Sequence, residues 1–187
     1  LESEEYQAER VVDKYLENLA VDNLQIVDEI EEFLIIYDLT DKKISIYEKI
    51  GDLYNDIKDY YKSYTYYIKA FESIKKDKID DRAAILILKL INCCKVNDKF
   101  KEALEFCKLP LKNETFISMD IKLELLLNKA EILMLLKEYD YSLDEIESIE
   151  EFTEEFTEEF TEEYLFDLNI LKGQCYRENK YYRDALE

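Results

Sequence analysis

The sequence predicts an all-helical chain of stacked helical hairpins, and three observations carry that expectation. Gly occurs twice and Pro once in 187 residues, too few chain-breaking residues to punctuate many β-hairpins or to build the glycine loops of nucleotide-binding α/β folds. Apolar residues make up 48%, enough to bury a core, so the composition is not that of a disordered segment despite its charge. A constellation of small and aromatic residues also returns along the chain at a period of about forty, which marks a repeat.

The clearest copy lies between Ile44 and Ile74. Tyr47 is followed by Ile50-Gly51 and Tyr54, then by Tyr60, Ser63, Tyr67 and Ala70. Two antiparallel helices approach closely only where one supplies a small residue and the other fills the gap. Gly51 is therefore expected to face the Ser63 and Ala70 side of a second helix, with the tyrosines wedged around that contact at helical spacing. The set recurs as Ile91, Cys94, Phe100, Ala103 and Cys107, then as Ala130, Leu133, Tyr139, Ser142 and Ile146, then as Gly173, Tyr176, Tyr182 and Ala185. In every copy the paired slots lie twelve apart: 51 and 63, 91 and 103, 130 and 142, 173 and 185. A weaker first copy has Ala8, Val11-Val12 and Tyr15 at the same spacing, so the first-helix slots fall at 12, 51, 91, 130 and 173.

This pattern resembles the tetratricopeptide repeat (TPR), in which a large residue, Leu-Gly and Tyr on one helix meet Ala, an aromatic and Ala on the next. The steps between slots, 39, 40, 39 and 43, exceed the ~34 residues of the standard unit. Such lengthened units are similar to those of kinesin light chains and the Pins/LGN polarity adaptors. The resemblance implies a right-handed superhelical α-solenoid, one domain over 1–187, in units 1–39, 40–79, 80–116, 117–158 and a truncated 159–187. Three departures stand out: Ile91 is large for its slot, Pro110 is expected to end a second helix early, and the first copy lacks a clear second-helix signature.

Periodicity and caps predict ten helices, near 3–20, 22–38, 41–57, 59–77, 81–96, 98–108, 118–136, 139–151, 160–178 and 180–187. Asp81 and Ser118 are the expected N-caps of two of them, and Pro110 with Asn113 marks a loop.

The 25 Lys+Arg against 45 Asp+Glu leave a formal net charge of −20. Between Lys137 and Lys172 no basic residue occurs and acids occur fourteen times. Within that stretch Phe-Thr-Glu-Glu repeats from Phe152 through Phe156 and Phe160 to Tyr164. A step of four advances only ~40° around a helix, so the rings form one drifting stripe with the carboxylates elsewhere. One extra tetrad in a 39-residue unit accounts for the step of 43. The stripe is expected to pack on neighbouring units while its glutamates are solvated; the other reading is an acidic surface for a basic partner.

Histidine is absent, which removes Ser-His and Cys-His nucleophile activation and His-ligated zinc. Cys93, Cys94, Cys107 and Cys175 form no C-x-x-C pair and no disulfide-like ladder, and read as reduced, small core residues of a cytoplasmic or nuclear protein. No phosphate-binding loop, calcium-loop spacing or metalloprotease helix is present. The expectation is a non-enzyme without cofactor or metal. Direct nucleic-acid binding is disfavoured, because phosphate contacts need clustered Lys and Arg. No apolar run approaches the ~18 residues that span a bilayer, so no membrane insertion is expected. The chain opens on Leu1 with no signal-peptide pattern, and reads as a cut-out domain.

The resemblance implies that first helices line a concave groove that takes a peptide. Projecting the register puts Glu48, Asp52, Asn55 and Asp56 on that face, then Leu88, Lys89, Asn92 and Lys95, then Leu127, Asn128, Glu131 and Met134, then Ile170, Gln174 and Arg177. Asn92 and Asn128 stand out, because a carboxamide donates to and accepts from a peptide backbone at once. The carboxylate clamp of chaperone-tail-binding family members needs a Lys where this chain has Leu88, and later basic residues where it has Asp167 and Leu171, so that specificity is not expected. The function read from the sequence is an adaptor or scaffold that binds a peptide carrying Lys or Arg. The alternative is an acidic holder of basic, histone-like clients through 138–163. End-to-end self-association is a further expectation, from the apolar edge of the truncated last unit.

Overall fold

The computed structural model describes residues 4–37, 39–74, 79–112, 117–155 and 162–184; of the side chains of 4–5, 40–41, 152–163 and 181–184 nothing is described. Among the described residues the chain is helical throughout, with no strand. The helices are α1 (Glu4–Asn18), α2 (Val27–Ile36), α3 (Thr40–Asp56), α4 (Tyr60–Glu72), α5 (Asp81–Val96), α6 (Phe100–Lys112), α7 (Met119–Leu135), α8 (Tyr139–Glu155) and α9 (Glu162–Asp184). Neighbours in sequence pack against one another, α3 on α4, α5 on α6 and α7 on α8 most extensively. The chain separates into two compact units, Leu1–Lys78 and Ile79–Glu187.

In the first unit, Val12 of α1, Ile30 and Leu34 of α2, and Ile46 and Ile50 of α3 share one core. Gly51 lies under the ring of Tyr67, itself 2% exposed, and Ser63 and Ala70 are fully buried on the same helix as Tyr67. The Tyr67 hydroxyl donates to Asp52 Oδ1 at 2.6 Å. Tyr66 stacks on Tyr54, with centroids 5.5 Å apart and planes 10° from parallel, and Lys69 caps that stack over Tyr66 while pairing with Glu31 of α2.

The second unit repeats the design. Ile91 and Ala103 are both fully buried, so the large residue is accommodated in its slot. The slots at 130 and 142 touch directly: Ser142 Oγ donates to the Ala130 carbonyl oxygen at 2.7 Å, and Cys175 Sγ of α9 lies 3.1 Å from the same hydroxyl oxygen.

The three hairpins turn identically. Lys58, Asp98 and Lys137 adopt left-handed φ values of 63°, 55° and 64°, each seven residues after its slot. In each, the following N–H reaches back five residues, Asp59 to Tyr54, Lys99 to Cys94 and Glu138 to Leu133, at 2.8 to 2.9 Å. The left-handed residue itself donates to Asn55, Lys95 or Met134. This is the Schellman arrangement, which satisfies the terminal carbonyls of the first helix before the chain reverses.

Four expectations are corrected. The predicted helices 160–178 and 180–187 are one helix, α9, running unbroken to Asp184. Lys180 stands at the turn register, yet the helix continues through it, and Asn179 ties it to Asp140 of α8 at 3.1 Å. Pro110 does not end α6, which continues to Lys112. The proline is buried in the last turn; it forgoes one i→i−4 bond, and only the final two residues of the helix follow it. Asp80, not Asp81, caps α5, accepting from Ala83 N–H at 2.9 Å, while Asp81 Oδ1 accepts from the Ser118 N–H at 2.7 Å. Ser118 occupies the cap position of α7 without a side-chain cap bond. The predicted second helix near 22–38 begins as an α-helix only at Val27, because Val21–Ile26 is a 3₁₀ segment interrupted at Asn23. The Phe152–Phe156–Phe160 stripe lies outside the described side chains.

Candidate functional site

An open cleft of about 470 Å³ lies in the second unit, lined by Asn92 and Lys95 of α5, by Glu124, Leu127, Asn128 and Glu131 of α7, and by Tyr164, Asp167, Ile170, Leu171 and Gln174 of α9. Among the described residues, none of α6 or α8 lines it. Three first helices thus present one common face, as the repeat register demands: Asn92, Glu131 and Gln174 are equivalent positions, and so are Leu127 and Ile170. Its size is in the range of ligand pockets, which span ~300–1,000 Å³.

Lys95 holds the cleft's frame. Its ammonium donates to Asn128 Oδ1 at 2.8 Å and to Glu131 Oε2 at 2.6 Å, so α5 is tied to α7 across the cleft floor. Asn128 Nδ2 donates to the Glu124 carbonyl oxygen at 2.9 Å, and Asn128 is 9% exposed. Its carboxamide is therefore engaged within the protein, whereas Asn92 is exposed and has no hydrogen-bond partner among the described residues. The two asparagines singled out in the sequence play different parts: Asn128 braces the wall and Asn92 faces outward.

Of the projected groove residues, Asn92, Lys95, Leu127, Asn128, Glu131, Ile170 and Gln174 meet in this cleft. Leu88 is buried instead, at 6% exposure. Lys89 and Met134 are half-buried outside the lining, and Arg177 is exposed with Nε directed to Glu178 Oε1 at 3.3 Å. Glu48, Asp52, Asn55 and Asp56 belong to the first unit. Asn55 and Asp56 are exposed at the end of α3 and Glu48 is half-buried, while Asp52 accepts from Tyr67.

Glu124 and Asp167 line the cleft although the projection did not include them. They are register equivalents, one helical turn before Leu127 and Ile170, and extending the projected face by that turn finds both.

The thiols offer no chemistry to this site. All four cysteines are buried and none is in a disulfide. Burial pushes the Cys94 and Cys107 thiols up to about 12, and burial raises Cys175 as well, partly offset by the Ser142 hydrogen bond. A thiolate is thus disfavoured at each of these three. Among the described residues, no helix is long and apolar enough to cross a membrane.

No family model, curated protein or solved structure matches the chain.

Proposed function

We propose that this chain is a non-catalytic protein–protein interaction scaffold, a TPR-like α-solenoid whose first helices form a groove for a peptide segment carrying Lys or Arg. The observation that carries this reading is the cleft itself, lined by α5, α7 and α9 and, among the described residues, by no second helix. That is the arrangement in which stacked hairpins expose an extended recognition surface. The acidic balance of the chain favours a basic segment and raises its rate of encounter. The absence of histidine and the burial of the cysteines support a binding role over a catalytic one.

Affinity capture from lysate with the wild-type chain and with an Asn92→Arg/Gln174→Arg double variant tests the reading. Both substituted positions are outside the core, so the variant is expected to keep its helical content while losing partners through a filled cleft whose net negative charge is neutralised. Retention of the same partners by the folded double variant overturns the groove assignment.

A further inference from the structure

The geometry points to a more specific role for the same cleft, one that rests on the peptide-binding reading: it is a subsite for a single Lys or Arg side chain, received by Glu124 and Asp167. Among the described residues the cleft holds one cation, Lys95, against three carboxylates, Glu124, Glu131 and Asp167. Lys95 is already committed to Glu131 and Asn128. A ligand carboxylate would have to displace an internal ion pair to find a positive partner, while meeting two further negative charges.

A ligand cation faces the opposite situation. The carboxylates of Glu124 and Asp167 have no hydrogen-bond or ion-pair partner among the described residues, and they project from two different helices. Leu127 and Ile170, each one turn further along its helix, supply apolar surface of the kind on which the methylene stem of a Lys or Arg rests while its head stays polar. Asn92, on the third helix, has a free carboxamide able to donate to and accept from one peptide unit beside that side chain. The site therefore has a place for charge and for stem, both on α7 and α9, and for main chain on α5. The Lys95 brace fixes the relative position of the α5 and α7 contributions. Because Asp167 is exposed and Glu124 half-exposed, the attraction is screened by salt and selects the residue type more than it adds affinity.

Three capped nonapeptides identical except for a central Lys, norleucine or Glu separate charge from stem, since norleucine keeps the methylenes without the ammonium. Each is titrated into the ¹⁵N-labelled full chain, following the side-chain NH₂ signals of Asn92 and Asn128. The expected result is about tenfold tighter binding of the Lys peptide than of the norleucine peptide, weaker binding still of the Glu peptide, and a shift at Asn92 that exceeds the shift at Asn128. In the near-isosteric Glu124→Gln/Asp167→Asn variant, the Lys preference is expected to vanish with norleucine binding unchanged. If the Lys preference persists in that variant, the cation is read elsewhere and the subsite proposal fails while the groove reading stands. If none of the peptides moves the Asn92 signal, the groove reading fails with it.

Discussion

A Cβ placed on Gly51 would stand 2.5 Å from Cδ1 and Cε1 of Tyr67, closer than any side chain can approach a ring. Tyr67 cannot swing aside, because it is buried and its hydroxyl is held by Asp52. Gly51→Ala is therefore expected to destabilise the first unit by about 1–3 kcal/mol of overpacking, less the ~1 kcal/mol that Ala gains over Gly in a helix. Gly173 is the opposite case, with nothing within 4 Å of its added Cβ. Gly173→Ala is expected to stabilise by about 0.5–1 kcal/mol. Urea denaturation of the two variants checks the opposite signs.

The left-handed turns predict a gain. Lys58, Asp98 and Lys137 are exposed and hold positive φ, which costs a residue with a Cβ roughly 1–2 kcal/mol. Gly avoids that strain but loses more entropy on folding. Lys137→Gly should therefore raise stability by about 0.5–1 kcal/mol, read as a higher Tm. The same change at Lys180, which lies inside α9, should lower it by about 1 kcal/mol.

Lys95→Met removes the only cation lining the cleft among the described residues while keeping most of the side-chain bulk. Freed Glu131 adds to the field of Glu124 and Asp167, so affinity for a Lys-bearing peptide is expected to rise several-fold at low salt, with a steeper salt dependence. Isothermal titration at two ionic strengths measures both effects.

Alkaline pH should weaken the fold. The Cys94 and Cys107 thiols ionise near 9 when unfolded and are held up to about 12 when folded. Above pH 9 the unfolded chain releases protons that the folded chain retains, so stability falls as pH rises towards 12, and below pH 9 these groups contribute no pH dependence. Tyr47 and Tyr66, raised by burial and by the Glu31 charge, act in the same direction from about pH 10 upward. Urea midpoints at pH 8, 9.5 and 10.5 check the slope, and Cys107→Ala should flatten it.

The parts of the fold that depend on side-chain size were legible in the sequence. Close helix approach needs small residues at fixed places, so the pairing of Ala130 with Ser142, now seen as a 2.7 Å hydrogen bond, could be read from spacing alone. The turns were not legible in the same way. Their left-handed residues are Lys58, Asp98 and Lys137, none of them glycine, because the packing of the second helix imposes the conformation and local preference does not signal it. The same gap explains α9: Lys180 looks like Lys58 and Lys137 in sequence, yet no helix packs back there within the described residues. In the cleft, the common face of the first helices followed from register. The inward engagement of Asn128 did not, since it depends on where Lys95 places its ammonium.

The recurring turn also bears on kinetics. Each hairpin closes across a connection of only a few residues, so its first native encounters are short-range and fast. Hairpins of this kind can nucleate singly and recruit their neighbours afterwards. Amide exchange is then expected to be slowest in α7, which packs against α5, α6, α8 and α9, and to quicken towards the outer helix α9.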